Sequence, residues 1–288
     1  MTISHNDPHH SALAGIKGEP FLVDGPGEFE TRGVFVTGVW SFADDKNGAE
    51  RGRNVIYLFH FDDLTVCHLG SLGHTLKARD VEALGDGREV PDRLEGDLAS
   101  AERGFEPGRI PTDERRRTNV PHIYAAGDVA GYWQLAHTGF REGEVAAENA
   151  MGHDAVIGDP AVPRPIYTDP EIAGVGLTEA QARETYGDDR VAVGRAPWVA
   201  IARAVMSGDT TGWVKTIHET TYGELLGVVI VGPHATDLIG EAVVALDAES
   251  TVETVADGMA PHPTLAEGLK EAALVALGRA IHLPPRRR

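Results

Sequence analysis

The chain has 288 residues, 42% of them hydrophobic, enough to bury a sizeable core in two or so domains. Its 44 Asp and Glu against 26 Lys and Arg give a formal net charge of −18. That field repels phosphate backbones and anionic lipid, so no nucleic-acid and no membrane partner is expected. No apolar run is long enough to span a bilayer, and MTISHNDPHH has neither region of a signal peptide, so a cytoplasmic protein is expected. The basic run 286–288 reads as a solvated tail. Cys67 is the only cysteine, which excludes any dithiol–disulfide cycle within this chain by arithmetic.

In chain order, residues 21–76 read as β-rich. Residues 33–40 (GVFVTGVW) predict a strand, and 54–60 (NVIYLFH) with 65–69 (TVCHL) flank Asp62-Asp63 as a hairpin would. Between 77 and 118 charge rises, β-branched residues thin out and Gly and Pro punctuate, which marks a boundary. Residues 120–128 (VPHIYAAGD) predict a short apolar strand ending on Gly-Asp, followed by a helix over about 135–151. After a Pro-rich connection, a helix opens at Thr178. Strands are expected near Val191, over 212–218 (GWVKTIH) and over 225–231 (LLGVVIV), the last two as an antiparallel pair. Two helices, about 235–246 and 264–280, close a unit of mixed strands and helices, which argues α+β.

Two strings carry chemistry. In the first, a buried strand delivers Asp128 at its C-terminal edge, with Gly127 allowing a ligand close. An Asp there suits a polyol hydroxyl, and the bland alternative is a cap for the next helix. In the second, MAPHPTLAE (259–267), Thr264 to Glu267 has the spacing of a capping box with Pro263 just ahead. Leu265, Leu269, Ala272, Ala276 and Ala280 then form one apolar stripe that needs a cover. On spacing alone His262 is an incidental loop residue.

The strings TNVPHIYAAGDVAG (118–131) and HPTLAE (262–267) resemble the pyridine nucleotide-disulfide oxidoreductases of dihydrolipoamide dehydrogenase type. GREVP (87–91), GRIPTDE (108–114), YTDPEIAGVG (167–176), GWVK (212–215) and GVVIVGP (227–233) agree with that family in the family's order, so the resemblance runs from about 88 to 282. It implies FAD as cofactor, with Asp128 bonding the ribityl chain beside Gly127, and Leu135, Ala136 and His137 lying along the flavin. It implies His262 as the general base for a substrate thiol, oriented by Glu267, a sensible division because imidazole titrates near neutrality. It implies a homodimer through the C-terminal domain, with His262 reaching the partner's flavin site. It implies NAD as the second cofactor. Yet no G-x-G-x-x-G turn follows a strand here and the C-x4-C disulfide has no counterpart, so no activity is expected from this chain alone.

Residues 15–85, through DGPGEFE (24–30) and VCHLGSLGH (66–74), resemble a segment of the metallo-β-lactamase-fold hydrolases, without their H-x-H-x-D-H cluster. His68, His74 and Cys67 are candidate ligands that read more simply as strand and turn residues, and His5, His9 and His10 as a tail. No metal site is expected. The fold expected is an α+β and α/β chimera: a partial metallo-β-lactamase-like β segment (1–86), the remnant of an FAD-binding domain (87–158), and an α+β dimerisation domain with an antiparallel sheet (159–288). Three functions compete: an FAD- and NAD-linked oxidoreductase incomplete by itself, a non-catalytic dimerisation module, and a metal-dependent hydrolase.

Overall fold

The computed structural model describes residues 1–5, 11, 13, 16–61, 64–74, 76, 110–131, 133–158 and 161–284. The Asp62-Asp63 turn, His9 and His10, the 83–87 seam, the 87–91 string and the basic end lie outside them. The chain divides into two compact units, residues 1–157 and 158–288.

In the first unit, β1 (Gly27–Thr31), β2 (Val34–Phe42), β3 (Arg53–Phe61) and β4 (Leu64–His68) form an antiparallel meander in that order. Thr31 pairs with Val34, so Arg32 and Gly33 alone make the first turn, both with positive φ (53° and 81°). That is the mirror-image turn whose twist matches two antiparallel strands, and Gly33 adopts it without strain. Phe61 pairs with Leu64, which confirms the expected β3–β4 hairpin. Strand alternation puts Val36, Val55 and Tyr57 on one face, where they pack with Val23, Phe29 and Phe59. The Tyr57 hydroxyl donates to the Ile3 carbonyl at 2.9 Å, tying the N-terminal segment down. Burial, with the Asp24 charge nearby, pushes its pKa up to about 12.

Later in this unit, α1 (Ala136–Ala150) follows the expected course. The strand expected over 120–126 does not form. Thr118 N–H donates to Ile123 O and Ile123 N–H to Val120 O, both at 2.9 Å, and only one bridge, Arg117 with Tyr124, survives. A strand satisfies its backbone only against a neighbouring strand. Among the described residues none runs beside this segment, so its amides close local turns instead.

In the second unit, β5 (Arg164–Ile166), β6 (Ile172–Gly176), β7 (Val191–Pro197), β8 (Trp213–Glu219) and β9 (Leu225–Val231) form an antiparallel sheet of order β5-β6-β9-β8-β7. Residues 212–218 and 225–231 do pair, Trp213 opposite Val231. α2 (Glu179–Tyr186) starts at Thr178, whose hydroxyl and the Gln181 side chain complete a reciprocal cap. It covers one sheet face through Ala182 against Val191, Ile217 and Leu226. The short helix α3 (Ala202–Ser207) precedes β8. On the other face lie α4 (Ala235–Asp247) and α6 (Glu267–Ala276), which bury Ile239, Ala242, Leu269 and Ala272 against Val214, Val228 and Ile230. Between them α5 (Val252–Asp257), capped by Thr251 and not expected from the sequence, packs Val252 and Ala256 on Ala273 and Leu274.

The closing helix is shorter than its apolar stripe suggests. Glu267 accepts the Thr264 N–H at 3.0 Å, but the Thr264 hydroxyl turns away to the Pro261 carbonyl at 2.7 Å. Half a capping box remains, and the helix starts at Glu267. At its other end Gly278 takes a φ of +70°, with Gly278 N–H on Val275 O and Arg279 N–H on Leu274 O. These two bonds satisfy the last carbonyls and stop the helix before Ala280. The stripe also needs no external cover, because Leu269 and Ala272 are buried within this unit's own core.

Candidate functional site

The loop before α6 carries His262. Its Nδ1 lies 2.9 Å from Oε1 of Glu267, the first residue of the helix, while Oε2 of the same carboxylate accepts the Thr264 N–H. Burial works against the Glu267 charge, yet the Thr264 N–H and His262 outweigh it and hold the carboxyl below the ordinary glutamate value. Glu267 is 13% exposed and His262 65%. A contact this open adds at most about 1 kcal/mol of stability. Its chemical consequence is larger: the carboxylate holds Nδ1, leaving Nε2 as the ring nitrogen for a ligand. Both side chains line a hollow of about 330 Å³, whose apolar wall includes Val199, Val205 and Met206 and whose rim includes His282. Sequence spacing alone made His262 incidental; the fold brings it together with Glu267.

The other predicted residues lie in the first unit. Gly127 has a φ of +81°, and a Cβ there would meet nothing within 4 Å, so the space beside it is open. Asp128 is exposed in the following turn and caps no helix; Leu135 is the N-cap of α1, with Ala136 and His137 its first two residues. What fixes this segment was not singled out in the sequence. Glu142 on α1 accepts the Gly127 N–H at 2.7 Å and pairs with Arg116 at 3.0 Å; their side chains are 7% and 14% exposed. A signal existed: Thr138, Glu142, Val145 and Asn149 recur at helical spacing and are all buried, so polar members of that stripe require partners. Asn149 shows the same, donating to Arg115 O and Ala155 O.

The residues around Asp128 fit a polyol contact. They do not make a cradle for a whole dinucleotide, since the sequence holds no Gly-rich phosphate turn. Among the described residues no group of three His, Cys, Asp or Glu side chains is placed to hold a metal. Cys67 and His68 are neighbours on β4 and so point to opposite faces. The ring of His74 accepts the Phe42 N–H at 3.2 Å. No described helix is long and apolar enough to cross a membrane.

Three family models match parts of the chain. Residues 162–273 match the dimerisation domain of the pyridine nucleotide-disulphide oxidoreductases and 80–143 another domain of the same family; residues 1–87 match a beta-lactamase superfamily domain. Over residues 80–143 and 162–273 the chain is thus similar to the pyridine nucleotide-disulphide oxidoreductases. Within that family it is similar to dihydrolipoyl dehydrogenases: 45% identical over 191 residues to that of Bacillus subtilis (66% of this chain, 41% of the relative), and 46% over 182 to that of Thermus scotoductus (63% and 38%). The crystal structure of LpdA from Mycobacterium tuberculosis superposes with a TM-score of 0.56 at 28% identity, over 76% of this chain and 45% of that one. The flavoprotein disulfide reductase RclA from Escherichia coli shares the fold at 22% identity and a TM-score of 0.55, over 76% and 48%. The chain thus spans about two fifths of the length of the curated relatives it matches.

Proposed function

We propose that this chain is a dihydrolipoyl-dehydrogenase-like oxidoreductase component that carries the thiol-deprotonating pair and not the electron relay. The observation that supports this is the 2.9 Å contact between His262 Nδ1 and Glu267 Oε1 at the edge of an apolar hollow. A thiol bound there gives its proton to Nε2 of His262. Glu267 holds the ring orientation and offsets the imidazolium charge that forms. FAD would supply the acceptor for the electrons, and Asp128 is the residue of this chain suited to its ribityl chain. Because the surrounding residues do not complete a flavin site, no step is assigned through it. NAD has no recognisable site in this sequence.

The chain is read as a chimera of a metallo-β-lactamase-like segment (1–86), an FAD-domain remnant (87–158) and a dimerisation domain (159–288). The three family matches support it, and their overlap at 80–87 brackets the seam. Self-association through the C-terminal domain is supported by the dimerisation-domain match. The test is titration of the chain with dihydrolipoamide, following the ring resonances of its histidines. A response at His262 that weakens in Glu267→Gln supports the assignment; no response at His262 overturns it and leaves a non-catalytic dimerisation module.

A further inference from the structure

The helix α6 carries a second carboxylate one turn beyond Glu267. Glu271 is only 1% exposed, and a charge so deep in a packed helix requires partners. It has them: its Oε1 accepts the backbone N–H of Ile281 at 3.0 Å and that of His282 at 2.8 Å. The chain leaves α6 at Gly278, turns through the left-handed region there and is pulled back along the helix by those two bonds. The residue this delivers to the hollow is His282, whose side chain lines the cavity with His262 and Glu267. The closeness is felt electrostatically, since the His282 charge is among the influences that hold the Glu267 carboxyl down. Two carboxylates one turn apart on one helix therefore each fold a flanking segment inward. Glu267 ties the segment before the helix and Glu271 the segment after it, and each presents one imidazole to the same space.

We propose that His282 is a second ligand-contacting imidazole of the His262 hollow, and that Glu271 is the positioning residue that holds it there. The ligand is the apolar thiol of the proposed function, with a polar group within reach of His282. Its apolar part lies on Val199, Val205 and Met206, His262 takes the thiol proton, and His282 hydrogen-bonds the polar group. This rests on the reading of His262 as the thiol base.

The experiment uses the full chain and dihydrolipoamide as probe, with the imidazole resonances of His262 and His282 and the methyl of Met206 followed by NMR. All three are expected to shift along one binding curve. In His282→Gln, which leaves the backbone N–H and Glu271 untouched, affinity falls roughly three- to tenfold, as loss of one hydrogen bond implies. In Glu271→Gln, whose amide oxygen still accepts, the three responses stay together. In Glu271→Leu the amides of Ile281 and His282 exchange quickly and the His282 response is lost, while that of His262 remains. A His262 shift with His282 silent in the unaltered chain overturns this inference and leaves the function standing. Silence of both overturns the function itself.

Discussion

Glu142 spans fifteen positions of sequence to accept the backbone N–H of Gly127 at 2.7 Å, and so locks the Gly-Asp turn to helix α1. Its other oxygen holds Arg116, a residue itself in the left-handed region at φ +61°. Glu142→Ala strands a mostly buried guanidinium and a backbone amide together. The expected loss is about 2–3 kcal/mol in the first unit, with Glu142→Gln less severe. Chemical denaturation followed by a first-unit tryptophan such as Trp40 measures it; a change below about 0.5 kcal/mol would show that the contact is incidental.

Asp128 faces solvent, so Asp128→Ala is expected to leave stability within about 0.5 kcal/mol of the parent. The visible spectrum of the purified protein then reads the cofactor question directly. Any flavin retained by the parent chain should be lost in this variant, while yellow colour equal in both would remove Asp128 from the site.

At Gly194 the helix α6 packs directly on strand β7, and an added Cβ would run into the Ala272 carbonyl and the Ala276 backbone nitrogen. Both obstacles are backbone, so neither yields by a rotamer change. Gly194→Ala should cost about 2 kcal/mol or more and shift the second unit's melting curve. An unchanged midpoint would mean that α6 sits farther from the sheet.

Acid should weaken the second unit in two stages. Burial lowers the pKa of His218 below the ordinary 6.5, against the opposing charges of Glu253 and Glu219, and its Nδ1 has no hydrogen-bond partner. The unfolded chain therefore takes up this proton first, and stability falls as pH drops below about 6.5. Glu219 follows. Hydrogen bonds from Thr221 and Tyr222 and the Arg190 guanidinium lower its pKa from 4.5 to about 2, so its contribution is present above 4.5 and disappears between 4.5 and about 2. Urea midpoints of His218→Gln should be flatter than the parent between pH 7 and pH 5; parallel curves would reject the first stage.

The chain alone should show no lipoamide-dependent NADH turnover, since Cys67 has no second cysteine to form a redox disulfide and His262 cannot replace one. Turnover by a preparation free of other flavoproteins would refute this. By light scattering at micromolar concentration the chain should have a dimer's mass, and a monomer's mass would refute self-association. Leu269→Asp is not a test of association, because Leu269 belongs to the buried core of its own unit.

Sequence alone determined the strands β2, β3, β4, β8 and β9, because alternation and continuous apolar runs are local properties of the chain. It also carried the resemblance to the family, through strings such as HPTLAE whose order is fixed in sequence, and the impossibility of a disulfide within this chain. The tertiary structure decided the rest. Val120 to Ala126 has a strand's composition, but no strand among the described residues runs beside it, and pairing is non-local. Thr264 to Glu267 has a capping box's spacing, but the Pro261 carbonyl competed for the hydroxyl. The stripe on α6 has the look of an interface, yet Val214 and Val228 cover it from 50 residues or so away in the chain. Glu142, Glu271 and His282 acquired their roles only through partners brought by folding. Periodicity records which face of an element is apolar; it does not record what that face, or a buried charge, meets.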